Sequence, residues 1–330
     1  MSPVAPARSA RVFLVGLMSV MLLGVPAADA AEPAARSLRL LVGFAPGGAA
    51  DVVARLIGPP LAERLGQSVI IDNRAGAGGV LAAAALARAG SDGQTLLLSS
   101  SGPLVVSPYI MNTLGYDVAR DLQAVSLAVR FTNVVVVPAG APMQTLADYL
   151  RTARTRSGGL AFATSGVGST GHLAGELLRQ RAGVPLMHVA YRGGGPAMTD
   201  VLGGQVDSMI ATISTALPHV QSGRLRALAV TSARRVAALP GVPTVDESGF
   251  AGFDATNWFA FLVSAEVPLA TARPISAALV DVLSAPAVRE GLAHHGMEAW
   301  PTSMAEARAW IDRESRQWAR VVREAGIRAE

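Results

Sequence analysis

From residue 38 onward, short apolar runs alternate with longer stretches whose apolar residues recur every three or four positions. Residues 38–42 read as a strand ending in Gly43-Phe44-Ala45-Pro46-Gly47-Gly48. Asp51 then stands where an N-cap would open a helix that buries Val52, Val53, Leu56 and Leu65. Residues 68–71 form a second expected strand, 73–79 a glycine-rich loop, 80–89 a helix of small residues and 94–98 a third strand. The pattern restarts with a β-branched run at 133–137, a helix at 145–154, a strand at 160–163, a helix at 170–182 and a strand at 186–189. Residues 205–210 and 225–230 read as strands with a helix at 214–221 between them. Residues 258–263 are a further strand, and the remainder is mostly helical, including 304–325. Such alternation predicts parallel βαβ units and an α/β fold. The restart predicts two lobes, either consecutive or with the chain returning to the first near 254–258. Periodicity does not choose between them.

The N-terminus reads as an address. Arg8 and Arg11 precede an apolar run at 12–25, then Pro26 and the small residues Ala28-Asp29-Ala30. This is the basic, apolar and A-x-A order of a secretory signal peptide over residues 1–30. The run is short for a membrane span, and the two arginines are not adjacent as in a twin-arginine signal. The expected mature protein is soluble, exported and periplasmic where a second membrane exists.

Composition removes several chemistries. The 330 residues are 51% hydrophobic and 16% charged and include no Cys, which excludes disulfides, iron–sulfur clusters and thiol nucleophiles. All 28 basic residues are Arg, so P-loop and Schiff-base lysines are absent too. The pI of about 10.2 accompanies a net charge of only +4. Without Lys or Cys little titrates between pH 7 and 10, and a small positive excess carries the pI far upward. Loss of Arg8, Arg11 and Asp29 with the leader takes the charge from +4 to +3. The arginines are dispersed, so no nucleic-acid partner is expected.

The sharpest local motif is Gly166-Val167-Gly168-Ser169-Thr170-Gly171, a G-x-G-x-x-G between a strand and a helix. The ribose-binding acid of a dinucleotide site is missing about 20 residues on, where Tyr191-Arg192-Gly193 stands. A tight turn that only packs a helix on a sheet is one alternative. An anion site at a helix start is another, and a carboxylate suits it as well as a phosphate. Ser165, Ser169 and Thr170 add hydroxyls. Gly47-Gly48, residues 99–102 (Ser100 and Ser101 among them) and residues 191–196 repeat the arrangement. All four loops follow strand C-termini, where α/β sheets bind ligands.

No G-x-S-x-G elbow or H-E-x-x-H occurs. His172 would contact ligand or cap a turn; His188 and His219 read as structural, and His294-His295 as solvated. Asp207 interrupts an apolar strand, so it either faces the cleft or marks an edge. No nucleophile, base and orienter assemble, and neither cofactor nor metal is expected.

Residues 41–51, 73–79, 92–97, 165–173, 191–197, 202–207, 225–231 and 239–244, in this order and spacing, resemble the Bug-type receptors. These are the extracytoplasmic solute-binding proteins of tripartite tricarboxylate transporters. The sequence departs from the common pattern at Gly43, Ala75, Ala190 and Arg192, and Ala49-Ala50 lacks a hydroxyl often found there. The resemblance implies a type II periplasmic-binding-protein fold with a central cleft: lobe 1 at 36–131 and 255–330, lobe 2 at 132–254. It implies a monomer that captures a small carboxylate, such as an amino acid, a di- or tricarboxylate or an aromatic acid, and delivers it to a membrane permease. The ligand would meet Phe44, Pro46, Gly47, Gly48, Ala49, Asp51, Ser100, Ser101, Ser165, Gly168, Ser169, Thr170, His172, Tyr191, Arg192 and Asp207. Gly168→Val or Ser169→Val would then weaken binding more than folding. Two other functions suit the scaffold: an exported hydrolase or isomerase that uses His172 or Asp207, and a ligand-presenting partner of a sensor kinase.

Overall fold

The computed structural model describes residues 37–325, all within one compact unit. The expected leader at 1–30 lies outside the described residues.

Two mixed sheets carry the fold. The first six-stranded sheet begins with β1 (Leu38–Val42), α1 (Ala49–Leu65), β2 (Val69–Asn73), α2 (Val80–Ala87) and β3 (Thr95–Ser100). A π-type turn at Gly102–Val106 leads into the short helices α3 (Ser107–Ile110) and α4 (Val118–Asp121) and the long β4 (Leu122–Phe131). The chain then builds a second sheet from β5 (Asn133–Pro138), α5 (Leu146–Thr155), β6 (Leu160–Thr164), α6 (Thr170–Ala182) and β7 (Leu186–Ala190). It continues with α7 (Gly194–Leu202), β8 (Ser208–Thr212), α8 (Ile213–Gln221) and β9 (Leu225–Val230). It comes back to the first sheet with β10 (Asn257–Ser264), followed by α9 (Leu269–Ser284), α10 (Pro286–His294), β11 (Glu298–Ala299) and α11 (Met304–Ala325). The strand orders are β11-β4-β10-β3-β1-β2 and β7-β6-β8-β5-β9. The returning strand β10 lies antiparallel between β3 and β4.

The central strands read as continuous apolar runs because both of their faces are covered. In β10, Phe259, Phe261 and Val263 enter one core with Val53, Ile57 and Leu61 of α1. Trp258, Ala260 and Leu262 enter another with Val80 and Ile311. In β5, Val134 and Val136 join the first core, while Val135 and Val137 pack with Tyr149, Phe162 and Leu178 under α5 and α6. Successive side chains of a strand point to opposite faces, which produces this division.

Three local expectations change. The N-cap of α1 is Gly48, and Asp51 lies inside the first turn. Strand β8 begins at Ser208, so Asp207 precedes it. Residues 194–196 open α7 and are not loop.

The two chain crossings between sheets lie side by side. Asn133 N donates to Thr231 Oγ1 (3.1 Å) and Ser232 N to Thr132 Oγ1 (3.1 Å). Ala255 N donates to Thr231 O (2.8 Å). Thr132 and Thr231 are buried, so these hydroxyls satisfy backbone groups that the crossings would otherwise leave unpaired.

Candidate functional site

The loops that leave the C-terminal ends of β1, β3, β6 and β8 face one another across the two sheets. They enclose a cavity with Phe44, Gly48, Ala49, Ala50 and Ser100 from the first sheet, joined by Asn257 and Phe259 of β10. Ser165, Ser169, Thr170, Gly171, Gly194, Met209, Ile210, Thr212 and Asn133 close it from the second. The starts of α1, α6 and α7 all reach this wall. First-turn amides have no intrahelical acceptor, and the helix dipole favours negative charge there. None of these lining residues carries a charged side chain, so an anion here is held by neutral donors.

The sheets are drawn together over this space. The volume open to the centre of a water molecule is about 20 Å³, room for one or two waters. An ideal Cβ on Gly102 would lie 2.1 Å from Gly168 O, and one on Gly78 2.1 Å from Val167 O. Only glycine lets these backbones approach so closely. A larger groove of about 870 Å³ runs past Arg130, Arg234, Arg235 and Arg289. It is open and mixes these arginines with Glu290 and Glu298, and it has no converging helix starts.

Two of the cavity loops are braced from behind. Asp51, nearly fully buried, accepts from Gly47 N (3.0 Å), Arg55 Nε (2.8 Å) and Asn73 Nδ2 (3.1 Å). Asn73 Nδ2 also reaches Phe44 O (3.0 Å). Burial alone would raise the Asp51 pKa, but the bonds from Arg55, Gly47 and Asn73 hold it below the usual carboxylate value. On the other side, Gly168 N donates to His172 Nδ1 (3.1 Å). His172 stacks on His188 with ring centroids 4.1 Å apart, and His188 Nε2 meets Thr164 Oγ1 at 2.6 Å. Burial, with His172 alongside, pulls the His188 pKa down to about 3; burial also lowers that of His172. Both rings are therefore neutral at pH 7.

This architecture has relatives. The model of the tripartite tricarboxylate transporter family receptor matches residues 53–327. The chain belongs to this receptor family. It is 37% identical to protein BugT of Bordetella pertussis over 295 residues, 89% of this chain and 90% of that one. The structure of the periplasmic binding protein BugD superposes with a TM-score of 0.86 at 29% identity, covering 89% of this chain and 99% of that one. The structure of an R. palustris protein with adipate gives 0.86 at 32% identity, covering 90% and 99%. The fold is thus the two-lobe periplasmic-binding-protein fold with a central cleft that the family resemblance implied.

Within this receptor the sequence-derived site residues divide. Phe44, Gly48, Ala49, Ser100, Ser165, Ser169 and Thr170 stand in the cavity wall. Pro46 and Gly47 are exposed, and Asp51 and His172 hold loops from behind. Gly168 supports the same loop at φ +75°, and Ser169 is the N-cap of α6, accepting from His172 N (3.3 Å). Ser101 is buried beside the wall. The Tyr191 hydroxyl turns to Asp200 (2.6 Å). The Arg192 side chain is exposed, and its carbonyl accepts from Ala45 N (3.2 Å). Asp207 is apart from the wall, at the start of β8, paired with Arg156 (2.6 Å) and accepting from Ala161 N (2.9 Å). It stands just before the first residue of β8, an interior strand of its sheet. The sequence reading missed Asn133, Thr212, Asn257 and Phe259. A signal existed in Asn133 and Asn257, polar residues that open otherwise apolar strands.

Proposed function

We infer that this receptor is periplasmic and captures a small organic carboxylate between its lobes, 36–131 with 255–330 and 132–254. It would then hand the ligand to a tripartite tricarboxylate-type permease. One observation carries the reading. Helix starts and hydroxyls from both sheets converge on an enclosed cavity without a charged side chain. Such a wall suits a single small anion. The adipate in the R. palustris relative supports the carboxylate class, and the periplasmic relative BugD supports the compartment. The chemistry is binding without turnover. Among the described residues His172 serves the Gly168 amide and Asp207 serves Arg156, which leaves the wall hydroxyls without a base. Both sets of contacts exist only when the lobes are together, so ligand shifts the population toward that state.

Thermal unfolding of protein stripped of ligand by unfolding and refolding tests this. A panel of amino acids, di- and tricarboxylates and aromatic acids should contain at least one member that raises the midpoint progressively with concentration. If no carboxylate raises it, the reading fails.

A further inference from the structure

The cavity wall contains two polar side chains that no group among the described residues satisfies. Asn133 is fully buried, yet neither its Nδ2 nor its Oδ1 has a hydrogen-bond partner. Ser100 Oγ, from the opposite sheet, is likewise buried and unpartnered. Both residues line the same cavity. Folded interiors leave few such groups, because an unpaired buried amide forfeits its hydrogen bonds to water. Their neighbours in the wall differ. Asn257 donates to Thr170 and accepts from Trp258 N, Thr212 pairs with Thr215, and Ser169 caps α6.

The Asn133 backbone is also pinned, through its N to Thr231 Oγ1 (3.1 Å) and its O to Thr231 N (2.9 Å). The amide therefore projects from a fixed strand beside the crossing between lobes. It presents one donor face and one acceptor face.

We propose that Asn133, with Ser100, is a specificity subsite for a ligand group that both donates and accepts hydrogen bonds. The ligand is then a carboxylate that also carries a hydroxyl or a carboxamide. This rests on the receptor reading and narrows it. A carboxylate only accepts and would leave Oδ1 unmatched; an ammonium only donates and would leave Nδ2 unmatched. A hydroxyl or a carboxamide satisfies both.

Calorimetric titration of the ligand-stripped protein with matched pairs tests this. Suitable pairs are succinate with malate, glutarate with 2-hydroxyglutarate, and adipate with its monoamide. In at least one pair the hydroxyl or amide member should bind at least about tenfold tighter, since a site built to bond such a group rejects analogues without it. Asn133→Leu should reduce that preference to less than about twofold. Asn133→Ala, which also removes both the amide donor and the amide acceptor, should reduce the preference likewise; it carries the test should the Leu variant fail to fold. Equal binding within every pair, or a preference that survives in the variants, overturns the subsite and leaves the receptor reading intact. Failure of every pair to bind the unmodified protein overturns the subsite, and the wider carboxylate panel decides the receptor reading separately.

Discussion

Asn257, the first residue of the returning strand β10, donates its side-chain amide to Thr170 Oγ1 at the start of α6. The bond joins one sheet to the other inside the cavity wall, and both residues are buried. It forms only when the lobes are together, so it belongs to the closed state. A buried hydrogen bond contributes about 0.5–1.5 kcal/mol net. Asn257→Ala should therefore weaken carboxylate binding by about two- to tenfold, with a solution-scattering radius shifted toward the open form. Unchanged affinity and radius would remove this latch from the account.

Gly102 makes a sharper test of closure. Its φ is not positive, so alanine fits the backbone, yet a Cβ there would meet Gly168 O at 2.1 Å. Gly102→Ala should leave the ligand-free unfolding midpoint nearly unchanged and weaken binding by at least about tenfold, because the competent state becomes rare. Calorimetry beside thermal unfolding reads both. Normal affinity in this variant would show that ligand binds without the close approach.

Asp51 links the loop before α1 to Asn73 and Arg55. Asp51→Ala leaves Gly47 N and Asn73 Nδ2 without that acceptor and should cost about 1–3 kcal/mol in urea unfolding. Affinity should fall as well, since Phe44 and Gly48 lose their brace. A variant as stable as the parent would contradict the bracing role.

The stacked pair His172–His188 should make stability depend on pH. In an unfolded chain each imidazole gains a proton near pH 6.5. In the fold His188 does not do so until about pH 3, and the His172 pKa is lowered as well. Below pH 6.5 the unfolded state therefore binds more protons, so stability is complete above that value and falls as the pH drops. The unfolding midpoint should decline between about pH 7.5 and about pH 5, and decline less in His188→Gln. Parallel pH dependences would exclude the pair as the cause.

Much of this was legible in the sequence for a physical reason. Val134–Val137 and Trp258–Val263 are covered on both faces, so their unbroken apolar runs announced central strands; in Leu38–Val42 only the exposed Arg39 breaks the run. The glycine loops were visible because close backbone approach demands glycine, as at Gly78 and Gly102. Strand β4 was hidden, since Gln123, Ser126 and Arg130 interrupt its pattern. Helix α7 was hidden because Gly194-Gly195-Pro196 reads as a turn until a helix start is needed there. Asp207 misled because a lone acid beside an apolar run suits either a cleft or an edge; it is at neither, and its partner Arg156 stands 51 residues away in sequence. Asn133 escaped notice because its importance lies in having no partner, which only three dimensions reveal.

The central claim is that the neutral cavity between the sheets holds one small carboxylate. Isothermal titration of ligand-stripped protein with small carboxylates tests it most directly. The account predicts saturable binding of at least one of them, with one ligand per chain, a negative heat-capacity change and a marked loss in Gly102→Ala. Absence of any saturable carboxylate binding, or binding that Gly102→Ala leaves untouched, would contradict it.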